Sequence, residues 1–283
     1  MDNRIEKITR ASTLGIVLNI VLVVVKAVLG AIAGSVSILT DAINNLTDTM
    51  SAVVTLVGVK LAQRKPDRKH PHGHGRIEYV AATIVGLIIL SVGVIAAFES
   101  VPKIIKPSIA DYSVWTIVII FVTVIAKVLY GRYLIKVGKL TKSRSLEGSG
   151  IDALFDALLS FGTLVGAAIS MLFSISVDGW IGIVISAFIV RSAFRILSEG
   201  ITDIIGRRVD EKLTRKIRER IRETEGVKSI ESLVLHDYGP EDVSGAVKIK
   251  VSGRLTAREL AKISAKIEED IKNEFDVELV VGV

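Results

Sequence analysis

The chain has 283 residues, half of them apolar and 23% charged, with a mean hydropathy of +0.52. That is too apolar for a single soluble core and rules out a disordered chain. Residues 207–283 carry 16 of the 36 basic and 16 of the 30 acidic side chains, so the whole net charge of +6 falls in residues 1–206.

There is no cysteine, which excludes disulfides, a thiolate nucleophile and cysteine-held metals. A metal would have to be held by oxygen or by the four imidazoles His70, His72, His74 and His236. A pI near 9.4 could point to nucleic acid. The excess charge, however, lies between apolar runs and the tail is charge-balanced, so membrane topology explains it and no nucleic-acid partner is expected.

Apolar stretches recur at about 11–33, 36–59, 78–99, 113–135, 150–175 and 179–199. Each is near or above the ~20 residues that cross a bilayer as a helix. The first is too long for a cleaved signal, and further spans follow it. The connection after the second span carries Lys60, Arg64, Lys65, Arg68, Lys69 and Arg76, and that after the fourth carries Arg132, Lys136, Lys139, Lys142 and Arg144. On the opposite side Gly34-Ser35 and the 174–177 turn have no basic residue, and the 100–112 connection has only Lys103 and Lys106. The positive-inside rule then places both termini and the basic loops in the cytoplasm. The expectation is an α-helical protein of the cell (inner) membrane with six transmembrane helices in residues 1–206.

Residues 207–283 read as a small cytoplasmic domain. A helix is predicted from Glu211 to about Thr224 with Gly226 as its stop, then a strand over Ser232–Leu235 and a Tyr238-Gly239-Pro240 turn. Ala246–Val251 alternates as a strand, Thr256–Asn273 reads as a helix with Thr256 and Glu259 as a capping box, and Val277–Val281 as a last strand. This order is an α+β unit of ferredoxin-like kind.

One internal repeat stands out. Thr40–Gly58 and Gly148–Gly166 match at an offset of 108 with seven of 19 positions identical, Asp48/Asp156 among them. Chance likeness of two apolar helices is one explanation. The other is an inverted repeat, the plan of secondary transporters whose sites lie near the bilayer midplane. Asn44 and Asp48 stand at i, i+4, as do Asp152 and Asp156, so each pair shares a helix face. The helix rise puts Asp48 about 18 Å from the outer surface and Asp152 and Asp156 about 10 and 16 Å from the inner one, at one depth. Carboxylates in lipid cost at least ~2.5 kcal/mol each and repel one another, so they need a cation or protons. Pairing with Lys26, Lys127 or Arg191 is the alternative. The two lysines are placed about two turns or more from the depth of the acids, and Arg191 can snorkel, which favours a cation site.

These residues resemble the cation diffusion facilitator family over essentially the whole chain. Asp41–Asp48 is similar to that family's DAxHxxxD, with Asn44 in place of His, and Asp152–Asp156 to its [HD]xxxD. The resemblance implies a divalent-metal exporter, a proton antiporter and a homodimer, with Asn44, Asp48, Asp152 and Asp156 as the transport site and no enzymatic activity or cofactor. An amide with three carboxylates is an all-oxygen set, which suits harder ions than a His/Asp set does. It also resembles the manganese-type branch. Mn2+ is therefore expected first, with Zn2+, Fe2+ and Co2+ as alternatives. With the site empty, repulsion and desolvation favour protonated acids; a divalent ion needs deprotonated ligands, so metal and protons compete. Asp41 is either a coupling group or a solvated helix end. A passive divalent channel would use the same acids, whereas no His lies in a span to serve an intramembrane protease.

Asp67, His70 and His74 resemble the family's loop metal site; a solvated basic loop is the alternative, and His72 is the less favoured ligand. Arg76 and Glu78 either anchor the third span to the tail or form an interfacial pair. In the tail, Glu231 and Lys248 stand where relatives place His, and the last strand lacks His and Asp. His236–Pro240 resembles the manganese-type turn. Residues 207–283 are therefore assigned dimerisation, with Glu231 and His236 as weak ligands at best and His236 as a turn hydrogen-bonder the alternative.

Overall fold

The computed structural model describes residues 2–33, 36–106, 114–173, 177–240, 242–253 and 255–283. Gly34-Ser35, residues 174–176 and most of the connection after the third span lie outside the described residues, as do the side chains of 32–44, Asp41 and Asn44 included.

Long helices come first: α1 (Asp2–Ala33), α2 (Val36–Ala62), α3 (Ile77–Ile105), α4 (Val114–Thr141), α5 (Arg144–Phe173) and α6 (Asp178–Ile205). Each follows one of the apolar stretches and runs past it into flanking polar sequence. Among the described residues, five are long and apolar enough to cross a membrane: Asn3–Val28, Ile77–Ile105, Ile117–Thr141, Arg144–Gly166 and Gly179–Ile205. α2 is not counted with them. Then follow α7 (Glu211–Arg222), β1 (Val227–Gly239), β2 (Asp242–Val251), α8 (Ala257–Phe275) and β3 (Val277–Gly282).

The chain divides into two compact units, Met1–Leu61 with Ile77–Ile201, and Ala62–Arg76 with Thr202–Val283. The stretch 62–76, which in sequence only joins two spans, thus packs with the C-terminal residues.

The helical unit is apolar outside and polar within. Val17, Val21, Leu129 and Phe188 are exposed, while Asn19, Thr55, Lys127 and Asp152 are buried. A protein surrounded by water has the reverse distribution. Small residues let the helices close up: a Cβ on Gly131 of α4 would stand 2.9 Å from the Gly150 carbonyl of α5. At one end, buried Glu78 of α3 pairs with Arg4 of α1 at 2.8 Å, and Arg4 Nε donates to the Thr141 carbonyl at 2.6 Å. Glu78 is therefore committed to α1, and Arg76 acts elsewhere.

In the C-terminal unit β1 and β2 pair antiparallel (Leu233 opposite Val247) and β2 and β3 parallel (Val247 opposite Val281), in the order β1-β2-β3. The alternation in β2 puts Val247 and Ile249 into the core with Ile217 and Ile221 of α7 and Ile267 and Ile271 of α8. The Thr256–Glu259 capping box forms as the sequence predicts, and Gly226 follows α7 at φ +94°. β1 and β2 run longer than predicted, because their ladder reaches back to Val227 opposite Val251 and continues into the turn that carries Asp237 and Gly239.

Candidate cation sites

The intramembrane site is built on α2, α4 and α5. Ser51 of α2 donates to Asp152 Oδ2 of α5 at 2.9 Å. One turn on, Thr55 meets the Ser149 hydroxyl at 2.9 Å and the Ser145 carbonyl at 3.3 Å. Rising numbers on α2 meet falling numbers on α5, so the two helices are antiparallel. At the head of this ladder stand Asp48 and Asp156, the two acids equivalent in the internal repeat. Both carboxylates accept from one ammonium group, Lys127 Nζ of α4.

This corrects the sequence estimate that set Lys127 two turns or more away. Counted from the outer end of the fourth span near residue 113, helix rise puts Lys127 about 21 Å deep, within one turn of Asp48 at about 18 Å, so the lysine and the acids share a level. Arg191 is exposed and Lys26 is buried.

Asp48 and Asp156 bring an oxygen each to one ammonium, but the three acids Asp48, Asp152 and Asp156 do not all reach the mutual 4.8 Å spacing of the loop trio described below. Asp152 is held by Ser51, and the lysine stands between the other two. A cavity of about 10 Å³ adjoins the cluster, with Asp48, Asp152, Lys127, Asn19 and Tyr130 in its wall. Sequence reasoning missed Ser51, Thr55 and Ser149 as parts of this site; it weighed pairing of the acids with Lys127 and set it aside, and the structure shows that pairing for Asp48 and Asp156. The signal was present for the hydroxyls: Asp48, Ser51 and Thr55 repeat at helical spacing, as do Ser145, Ser149, Asp152 and Asp156.

The second site lies in the 62–76 stretch. Asp67, His70 and His74 each offer a ligand atom within 4.8 Å of the others. The backbone makes the cluster: Asp67 Oδ1 accepts from the amides of His70 (2.7 Å) and Lys69 (2.8 Å), curling the chain so that residue 70 returns over residue 67. Those two amides, His70 first, hold the Asp67 carboxyl below the usual carboxylate range. His74 comes within 3.7 Å of Asp67 Oδ2. His72 turns away and stacks on Tyr238 at 4.3 Å, and Arg76 covers the Tyr238 ring and donates to the Asp237 carbonyl at 3.0 Å.

In the tail, Glu231 is engaged by Lys248 at 3.0 Å and Lys250 at 3.1 Å. These two partners, Lys248 first, hold its carboxyl below the usual range. His236 lies five residues further along β1 and is exposed. Among the described residues the loop trio is the one group of three or more acids and imidazoles gathered at ligand spacing.

Apolar helices wrapped around buried charge, joined to a small αββαβ unit, define a multi-pass membrane protein that carries ionic groups in its interior. The model of the cation efflux transmembrane domain matches residues 12–205, and that of the cation efflux cytoplasmic domain matches residues 209–281. The chain belongs to the cation efflux, or cation diffusion facilitator, family of transporters. It is 28% identical over 248 residues to the manganese efflux system protein MneS of Bacillus subtilis (86% of this chain, 83% of MneS). It is 23% identical over 254 residues to MneP of the same organism (87% of this chain, 84% of MneP). A cadmium, cobalt and zinc/H(+)-K(+) antiporter of Bacillus velezensis is 24% identical over 237 residues (83% of this chain, 75% of the relative).

Proposed function

We propose that the protein exports divalent cations, Mn2+ in the first place with Zn2+ and Fe2+ as alternatives, in exchange for protons. The transport site is Asn44, Asp48, Asp152 and Asp156. One observation carries this reading: repeat-equivalent acids from two antiparallel helices share a single positive charge in a buried, polar interior. A cation placed there would meet oxygen ligands alone, which suits Mn2+ better than a thiolate- or imidazole-selecting ion. Relatives named for manganese efflux agree with that preference.

Six spans, with α2 as the second, carry the pathway in residues 1–206, and both termini face the cytoplasm of the inner membrane. Residues 207–283, of ferredoxin-like kind, serve a homodimer. An exposed row of Val234, Ala246 and Val280 crosses the three strands and offers a surface for that contact. Asp67, His70 and His74 form a second divalent-cation site, and Asp41 assists coupling. Glu231, already held by two lysines, contributes little to metal binding, and His236 serves the turn.

The test is metal uptake into inside-out vesicles under an imposed pH gradient. Wild-type protein should take up Mn2+ and move protons the other way, with acid on the cytoplasmic face inhibiting. Asp156→Ala should abolish uptake. Uptake by that variant at a wild-type rate would remove the site assignment, and metal flux without proton movement would make the protein a channel.

A further inference from the structure

Lys127 is a buried lysine in contact with two acids of the proposed transport site, and the antiport scheme assigns it no role. Its ammonium engages Asp48 from α2 and Asp156 from α5, and its side chain is only 2% exposed. We propose that Lys127 is a tethered competitor of the transported ion: a built-in monovalent cation that holds the two carboxylates until a divalent ion displaces it. The inference rests on the transport-site reading given above.

Electrostatics decides which cation holds the two carboxylates. A tethered group faces its partners at a high effective concentration. A free monovalent ion offers each carboxylate the same charge that Lys127 already supplies, and must shed water as well. It cannot win. A divalent ion doubles the attraction to every carboxylate at equal distance, so it can expel the ammonium. Lysine and metal cannot share the oxygens, because they repel one another. Lys127 thereby weakens metal binding enough for release on the far side and excludes sodium and potassium. The adjoining cavity of about 10 Å³, lined by Asn19 and Tyr130 beside Lys127, holds about one water, so displacement of the ammonium requires its stem to shift.

The experiment titrates the purified full-length chain with MnCl2 and reads free Mn2+ by electron paramagnetic resonance. His70→Ala and His74→Ala are present throughout to silence the loop. Lys127→Met should tighten Mn2+ binding by about tenfold or more, the lower end for a close charge pair. In that variant alone, replacing choline by sodium at constant ionic strength should weaken Mn2+ binding. Lys127→Arg, which keeps the charge, should restore weak, sodium-insensitive binding. Unchanged or weaker binding by Lys127→Met, or its indifference to sodium, overturns the proposal.

A second measurement needs no variant at Lys127. Acylation of its amine, followed by mass spectrometry, should be faster with Mn2+ bound than without; an equal or slower rate overturns the proposal. Asp156→Asn separates the two readings. If it binds Mn2+ like the wild type, the transport site and with it the competitor fall together. If it loses binding while Lys127→Met gains none, only the competitor falls.

Discussion

Replacing Ser51 by alanine would delete one oxygen from the interface of α2 and α5 and leave the backbone and packing in place. Ser51 is buried, and its hydroxyl donates to Asp152 Oδ2 at 2.9 Å. The bond does two things. It locks the rotamer of the carboxylate, and it treats Asp152 as an acceptor, the state in which it also serves a metal. A hydrogen bond to a charged group is worth about 1.5–3 kcal/mol net. At about 1.4 kcal/mol per factor of ten, that is on the order of a 10- to 100-fold loss of metal affinity, the usual range for a group that orients a ligand. The assay is Mn2+ uptake by inside-out vesicles as a function of Mn2+ concentration, with a melting curve as control. Ser51→Ala should raise the half-saturating concentration by about that factor and, because the bond is already present in the metal-free fold, lower the melting temperature by a few degrees without unfolding the protein. Ser51→Thr should recover most of the loss because it keeps the hydroxyl. An unchanged half-saturation in Ser51→Ala would refute the claim that Asp152 is a ligand positioned by α2.

Two further outcomes are expected from the geometry. A Cβ at Gly131 would press on the Gly150 carbonyl at 2.9 Å and on Leu154 at 3.0 Å. Gly131→Ala should therefore cost about 1–3 kcal/mol, the range for overpacking, read as a lower melting temperature in detergent. In the loop, the carboxyl of Asp67 is held below its ordinary value by the amides of His70 and Lys69. A depressed folded value means that its contribution is present above the unfolded value of about 3.9 and lost only as pH falls through the folded one. Hydrogen-exchange protection of those two amides, corrected for the intrinsic rate, should stay level from about pH 7 to 5 and decline below about 4. A decline already complete at pH 5 would show that another group holds the turn.

The sequence by itself carried a great deal of this molecule, because much of it is written in local physics. Long apolar runs marked where α1 to α6 lie, since a helix is the way for a chain to satisfy its backbone inside a bilayer. Thr256 and Glu259 announced the start of α8 through a bond that spans only three residues. The repeat that aligns Asp48 with Asp156 pointed to two helices that meet, and the likeness of Asp67, His70 and His74 to the family's loop metal site pointed to a cluster formed within one turn. Three features depended on contacts between distant segments. Lys127 lies 79 and 29 residues from the acids it binds, and its reach depended on which way α4 turned its side chain. Ser51 gained significance only when α5 lay antiparallel against it. The 62–76 stretch joined the C-terminal unit through His72 and Arg76 on Tyr238. Periodicity reveals which face of a helix is polar, but not which partner that face meets; only packing in three dimensions decides that.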